Sequence, residues 1–400
     1  MKITIADKLP AEAIKQLELL GLNVDNNPGL KEADLASGLP ESQILIVRST
    51  VVNRDCVDNS PKLSLIIRAG AGVNNIDIEA ASGKGIYVAN CPGKNAIAVA
   101  ELTLGLILSL DRFIPQNVSD FHAGKWNKAA YSKADGLFGK TLGIIGTGMI
   151  GQEVIKRAQG FGLDIVAWSR SLTPKIADEM NVECAKSILD VAKSSDILSV
   201  HLAMNDQTKG IISKEILSAM KDGAMFINTS RDGVVDEEAL FEELKNGRLK
   251  AGLDVFSEEP EFKEGEFESR FQGMDNVYIT HHIGASTYQA QMAVAEDAVD
   301  IVRGYLQEGK VRNWLNRCEH TESPWQLVVR HYDKPGVIAN VMNELKEAQI
   351  NAQELENVIF DRKIAACCTI QLDAEPSDKV LKNIRTRQDE VISATLVPRR

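Results

Sequence analysis

The run TLGIIGTGMIG, residues 141–151, most constrains what this chain can fold into. A strand-like stretch enters Gly146, and glycines recur at 148 and 151 before the helical pattern QEVIKRAQGFG and a second strand-like stretch, LDIVAWS. In that setting each glycine has its own task. Gly146 permits a tight turn, Gly148 lets backbone approach a pyrophosphate, and Gly151 lets helix and strand pack closely. The N-terminus of the helix adds free N–H groups and a partial positive charge for the phosphates. The expectation is a dinucleotide-binding βαβ unit.

The end of the second strand bears on which dinucleotide. An Asp or Glu there would accept from the ribose hydroxyls of NAD. This chain has Ser169, Arg170 and Ser171 instead. Arg170 suits a 2′-phosphate, or is simply solvated, so the expected cofactor is NAD with NADP left open beside it.

At 400 residues the chain is long enough for two or three cores. Strand-like runs KITIAD, QILIVRS, LSLIIRAG and GIYVANC alternate with helical patterns up to about residue 98, as in a parallel sheet flanked by helices. A long helical stretch, 95–124, carries Pro115 as a break or a new start. A second alternation follows, with strands TLGIIG, LDIVAWS, DILSVHL, AMFINTS, AGLDVF and VYITHH, and a helical pattern then runs to Gly309. The polar 316–324 segment reads as a linker, and 325–400 has the order βαββαβ. The division expected is a discontinuous first lobe (1–98 and 284–315), a nucleotide-binding lobe (99–283) and a small third domain. The charged stretch EFKEGEFESRFQG, 261–273, reads as a solvated surface excursion.

Composition narrows the function classes. A net charge of −11 argues against sequence-independent nucleic-acid binding, so any anionic ligand needs local cations. The apolar runs fall short of the roughly 20 residues of a membrane span, and the N-terminus has no signal-type core, so a cytoplasmic protein is expected. Six cysteines lie without metal-ligand spacing, and no metal is expected.

Three polar residues follow strand-like runs of the second alternation, where open parallel sheets place their sites: Arg231, Glu259 and His282. Hydride transfer from a 2-hydroxy acid uses this set. A histidine takes the hydroxyl proton, a carboxylate orients its ring and raises its pKa, and an arginine fork holds the substrate carboxylate. On chemistry alone, His281 and His282 both remain open as the base.

The blocks RAGAGVNNID, AVAELTLGLIL, KTLGIIGTGMIG, INTSRDGVVDEEAL, AGLDVFSEEP and HHIGAST occur in an order and spacing that resembles the D-isomer-specific 2-hydroxyacid dehydrogenases over residues 1–315. The resemblance implies Arg231, Glu259 and His282 as the catalytic set. It implies a nicotinamide site using Met149, Ile150, Thr229, Ser230, Asp254 and Gly284, with His201 a further candidate. Asp232, where a Gly usually follows the arginine, and His281, where a Pro is usual, depart from the pattern.

Within that family, IVRST at 46–50 is similar to the branch that oxidises 3-phospho-D-glycerate at the entry to serine biosynthesis. This implies Arg48 and Ser49 at the phosphate, the Gly70, Ala71, Gly72 and Val73 backbone at the carboxylate opposite Arg231, and Asn95 nearby. Arg68 lies on the neighbouring strand.

HYDKPGVIANVMNELKEAQIN resembles the ACT domain, a regulatory module, and implies an L-serine effector held by His331, Asp333 and Asn351 between two chains. A homodimer or homotetramer follows from the same resemblance. The alternatives are an NADP-preferring reductase of glyoxylate, hydroxypyruvate or 2-oxoglutarate, and a nicotinamide-sensing corepressor on the same fold.

Overall fold

The computed structural model describes residues 1–260, 264–318 and 321–399. Residues 261–263 of the charged excursion, 319–320 of the linker, and residue 400 of the third domain lie outside the described residues. The chain divides into two compact units, Met1–Asn316 and Arg317–Arg400.

The first unit holds two parallel sheets. The first comprises β1 (Lys2–Ile5), β2 (Asn23–Asn26), β3 (Ile44–Val47), β4 (Leu65–Arg68) and β5 (Tyr87–Asn90), in the order β2-β1-β3-β4-β5. Both faces of this sheet are covered, and the strands accordingly carry apolar residues on both. Ile44 and Ile46 face the helix Tyr288–Glu308 through its Val294, Ala298, Val299 and Val302, while Leu45 and Val47 pack with Cys56, Val57 and Ala81 on the other side. After that helix, Trp314 bridges back to Ala89.

The second sheet comprises β6 (Thr141–Ile145), β7 (Asp164–Trp168), β8 (Glu183–Cys184), β9 (Ile197–Val200), β10 (Met225–Asn228), β11 (Lys250–Leu253) and β12 (Val277–Ile279). Its order, β12-β11-β10-β9-β6-β7-β8, is that of a doubly wound dinucleotide-binding fold, and the strand order reverses between β6 and β9. The long helical stretch is two helices, Ala96–Arg112 and Ile114–His122. Phe113 breaks them in a left-handed conformation (φ 55°), and Pro115 sits in the first turn of the second, where its missing N–H costs nothing. Ala100, Leu104, Ile107 and Leu110 of the first helix pack on β6 and on the helix Met149–Gln159, which seats the glycine turn against the rest of the lobe.

The second unit is a four-stranded antiparallel sheet of β13 (Trp325–Tyr332), β14 (Ala352–Ile359), β15 (Ala365–Leu372) and β16 (Val391–Pro398), in the order β14-β15-β13-β16, with helices Val337–Glu347 and Asp378–Thr386. The order along the chain is βαββαβ. Leu327, Val329, Cys368 and Ile370 on one face meet Val341, Leu345, Leu381 and Ile384 of the two helices. Among the described residues no helix is long and apolar enough to cross a membrane.

Two strands were invisible in the sequence. β2 (NVDN) and β8 (EC) are edge strands with no fully buried residue, so no apolar run marks them.

Candidate active site

The glycine turn is built as its spacing implies. Gly146 has φ 98°, and a Cβ there would lie 2.5 Å from the carbonyl oxygen of His201. A Cβ on Gly151 would lie 2.0 Å from the carbonyl oxygen of Gly146, so only glycine lets the helix close on the turn. At Gly148, which caps the helix Met149–Gln159, a Cβ would meet nothing within 4 Å. This open space before a helix N-terminus fits a pyrophosphate. Met149 is exposed and reaches across to Gly93 of the first lobe, while Ile150 packs inward.

Beyond β7, the Ser169 and Ser171 hydroxyls lie 3.2 Å apart, and the Arg170 guanidinium donates to Gln207 Oε1. His201 is buried, with its Nε2 2.9 Å from Ser199 Oγ, and its Nδ1 has no partner among the described residues. Burial pushes its pKa down to about 4, so the ring is neutral at pH 7.

The turn after β10 is tied by Asn228, whose Oδ1 accepts from the Ser230 N–H (3.0 Å) and Oγ (2.8 Å) and whose amide donates to the Arg231 carbonyl (2.9 Å). Thr229 is buried, its hydroxyl 2.9 Å from that of Thr103. Arg231 is thereby aimed at the first lobe, where a Cβ on Gly72 would lie 2.9 Å from its Nη2.

Asp254, 1% exposed, accepts from Thr280 Oγ1 (2.6 Å) and from the backbone N–H of Ile283 (2.9 Å) and Gly284 (2.8 Å). Its carboxylate is thus occupied with the loop that carries His282. That residue is left-handed (φ 51°), a conformation costing a non-glycine residue about 1 kcal/mol and held here by Asp254. The imidazole Nδ1 of His282 lies 2.8 Å from Glu259 Oε2, while Glu259 Oε1 accepts from the Phe256 N–H at 3.2 Å. The Glu259 carboxylate raises the His282 pKa above its ordinary value, against the opposing effect of burial. His281 lines a cavity of about 1080 Å³ that Ser49, Glu259 and His282 also line, walled by Phe256 and by Phe267 and Phe271 of the charged excursion. The geometry separates the two histidines: among the described residues only His282 is paired with Glu259.

Across from this pair, a cavity of about 530 Å³ is lined by Arg48, Ser49, Arg68, Gly70, Ala71, Asn95 and His282. Gly72 faces Arg231 rather than this cavity, and Val73 accepts a turn hydrogen bond from the Ile76 N–H at 3.0 Å. The Arg68 side chain occupies the space a Cβ on Gly70 would need, and its Nε donates to the Arg48 carbonyl at 3.1 Å. Burial, together with the nearby Arg48 and Arg231, lowers the Arg68 pKa, the signature of three cations converging on one place.

Asp7, at the end of β1, organises that corner. Its Oδ2 accepts from three successive N–H groups, of Arg48 (2.7 Å), Ser49 (2.9 Å) and Thr50 (3.0 Å). Sequence reading missed Asp7 and Asn228 because both work through backbone amides. Their one visible signal was position, since each stands at the C-terminal end of a parallel strand.

In the second unit, His331 is 2% exposed, its ring set between the Tyr332 carbonyl (2.7 Å) and Asn357 Oδ1 (3.1 Å). The Asp333 N–H donates to the Ile364 carbonyl (3.0 Å), and that of Asn351 to Asp373 Oδ1 (2.9 Å). Strand register puts Tyr332 opposite Ala365 and Ala352 opposite Leu372, at the two ends of β15. Asp333 and Asn351 are therefore separated by the length of the strand, roughly 25 Å. One unit alone does not bring them together.

Residues 104–284 match the NAD binding domain of the D-isomer specific 2-hydroxyacid dehydrogenases. The chain is 38% identical over 363 residues to D-3-phosphoglycerate dehydrogenase of Methanocaldococcus jannaschii, covering 89% of this chain and 67% of that one. It is 42% identical over 273 residues to hydroxypyruvate reductase of Thermotoga maritima, covering 68% of this chain and 87% of that one. The solved structure of NAD+-bound 3-phosphoglycerate dehydrogenase from Entamoeba histolytica superposes with a TM-score of 0.65 at 28% identity, over 79% of this chain and 99% of that one. The chain spans about two thirds of the length of the Methanocaldococcus relative. With 38% and 42% identity to these two relatives, and with the glycine turn and the Glu259–His282 pair in place, the chain belongs to the D-isomer specific 2-hydroxyacid dehydrogenase family, an NAD-dependent oxidoreductase family.

Proposed function

We propose that the chain oxidises 3-phospho-D-glycerate to 3-phosphohydroxypyruvate, the first step of L-serine biosynthesis. The observation that carries this reading is the pairing of Arg48 and Arg68 on a cavity that His282 also lines, with Arg231 near enough to Arg68 to act on its charge. Three cations exceed what a lone carboxylate needs and suit a substrate with a carboxylate and a phosphate. The name of the 38% identical relative supports the same substrate.

In this reading Gly146, Gly148, Met149, Ile150 and Gly151 hold NAD at the helix N-terminus, with Ser169 and Arg170 at the adenosine end. His201, Thr229, Ser230, Asp254 and Gly284 lie along the nicotinamide side. Bound NAD supplies the hydride acceptor. Arg231 and the Gly70–Val73 backbone grip the carboxylate, while Arg48 and Ser49, with Asn95 at the rim, take the phosphate. His282 donates its Nδ1–H to Glu259, which leaves Nε2 to accept the proton from the C2 hydroxyl. Glu259 stabilises the imidazolium that results, as the raised pKa of the ring requires.

Residues 1–98 and 284–315 form the substrate domain in this reading, and 99–283 the nucleotide domain. Residues 325–400, within the second unit, are proposed as an ACT-type regulatory domain in a homodimer or homotetramer. The separation of Asp333 from Asn351 within one unit favours an L-serine site assembled from two chains.

Hydroxypyruvate reduction is the second reading, favoured by the 42% identical relative and by the absence of an acid after β7. Initial rates with 3-phosphoglycerate and NAD, and with unphosphorylated D-glycerate or hydroxypyruvate, decide between them. A preference in kcat/KM of at least about a hundredfold for the phosphorylated acid is expected, since a phosphate in charge-assisted contact with arginine is worth roughly 3 kcal/mol. Equal or better turnover of the unphosphorylated acids would overturn the first reading, and suppression by L-serine tests the regulatory proposal.

A further inference from the structure

The charged stretch 261–273 reads as a solvated excursion in the sequence, but Arg270 and Phe271 near its end are drawn into the fold. Phe271 is 3% exposed and shares an apolar cluster with Phe256, and the Arg270 side chain beside it is largely covered. We propose that Arg270 is a positioning residue for the Glu259–His282 pair, fixing the direction of Glu259 through the residues that precede it; this rests on that pair's being the acid–base pair of the site.

Arg270 is tied at once to the helix Glu237–Lys245 and to the loop after β11 that carries Glu259. Its Nη2 donates to Glu237 Oε1 at 2.9 Å, and its Nη1 donates to Glu238. The Glu237 side chain, only 11% exposed, also accepts from Ser257, through the N–H (2.8 Å) and Oγ (2.5 Å). Glu258 accepts from Ser269 Oγ (2.7 Å) and from the Arg270 N–H (3.2 Å), and its other oxygen lies 3.5 Å from Arg270 Nε. Both residues before Glu259 are therefore held, one by Arg270 itself and one by the glutamate that Arg270 pairs with.

Packing gives a second route to the same carboxylate. The guanidinium lies 5.2 Å from the ring centroid of Phe241 and 5.4 Å from that of Phe271, within cation–π range of both. Phe271 meets Phe256 edge on, with centroids 6.4 Å apart, and the Phe256 N–H is the donor that anchors Glu259 Oε1. Only a planar fork can serve two glutamates and two rings together. A lysine ammonium is a single point of charge, so Arg270→Lys separates geometry from charge.

That separation matters because charge could also act through space. Arg270 is faced by Glu237, Glu238 and Glu258, while His282 is faced by Glu259 and Asp254, which favour its charged form, and by Arg231, which opposes it. Among the described residues Arg270 makes no ion pair or hydrogen bond with Glu259 or His282, so its hold on the pair runs through Ser257, Glu258 and Phe256.

The test follows the titration of the His282 ring by NMR in the full chain, labelled at histidine, with the signal identified by its loss in His282→Gln. Arg270→Lys keeps the charge and gives up the fork, so the Glu259 bond should loosen and the midpoint should fall by at least about half a pH unit, toward its value in Glu259→Gln. Added to Glu259→Gln, the same substitution should change nothing further, because the group it acts through has already lost its charge. An unmoved or rising midpoint in Arg270→Lys, or an equal fall in both backgrounds, overturns the role of Arg270 alone. An unmoved midpoint in Glu259→Gln overturns the pair and Arg270 with it. NADH titrated by fluorescence reports on the nucleotide lobe; its loss in Arg270→Lys would make the arginine a support of that whole lobe and would likewise overturn the proposal.

Discussion

The Nδ1 of His282 lies 2.8 Å from Oε2 of Glu259, and the same glutamate anchors its other oxygen on the Phe256 N–H. The pair is thus fixed at both ends, and the imidazole is left with one free nitrogen. Its pKa is raised, chiefly by the Glu259 hydrogen bond. In the direction of oxidation the base must be unprotonated, so kcat/KM should fall as pH drops through a value above the usual 6.5 or so of histidine. Glu259→Gln removes the charge that favours the imidazolium. The acidic limb should then move to lower pH, and kcat at its plateau should fall about a hundredfold. A pH–rate profile of both proteins checks this, and an unmoved limb would remove Glu259 from the pair's chemistry.

The two adjacent histidines should part company. His282→Gln is expected to cost at least about a thousandfold in kcat with NADH binding retained, because the proton acceptor goes while the glycine turn stays. His281→Ala, which leaves the Glu259–His282 pair in place, should cost under about tenfold and keep the acidic limb in place. Single-turnover rates with both variants separate them.

Gly151 offers a sharper test of the turn. A Cβ there would stand 2.0 Å from the Gly146 carbonyl oxygen, with backbone on the other side of the contact and no flexible chain end to yield. Gly151→Ala should therefore push the helix away from β6 and weaken NADH binding at least about tenfold, with a fall in Tm of several degrees, since overpacking of this kind costs roughly 1–3 kcal/mol. Gly148→Ala, whose Cβ would meet only open space, should leave Tm unchanged and affect NADH binding alone.

What was legible in the sequence was local. The turn could be read at Gly146, Gly148 and Gly151 because strand, turn and helix lie within a few residues of one another, and the buried strands β3, β4, β6, β9 and β10 announced themselves as apolar runs. β2 and β8 did not, being edge strands paired on one side only. The candidate site was legible as residue types at strand ends, but not as connections. Asp254, expected beside the cofactor, spends its carboxylate on the loop 280–284, some 26 to 30 residues further along the chain. That loop holds His282 in a left-handed conformation that nothing in its own sequence requires. Likewise, the separation of Asp333 from Asn351 followed only from the register of β13, β14 and β15.

Asp7 carries the last prediction. Burial alone would raise its pKa, but the N–H groups of Thr50, Arg48 and Ser49 lower it, and the lowering prevails. A carboxylate depressed in the folded state contributes its stability above its unfolded pKa of about 3.9, and loses it as pH falls through the lower folded value. The corner at Arg48 and Ser49 therefore stays ordered throughout the pH range in which His282 titrates, and Asp7 adds nothing to the acidic limb. Asp7→Ala releases three N–H groups at once. The loop carrying Arg48 should then lose its fixed direction, raising KM for the anionic substrate about tenfold or more, while kcat and the affinity for NADH change little. Asp7→Asn, which retains an acceptor oxygen but not the charge, should fall between the two. If kcat and KM suffered together, or NADH affinity fell as far as substrate affinity, Asp7 would be a support of the whole lobe rather than of the arginine that it orients.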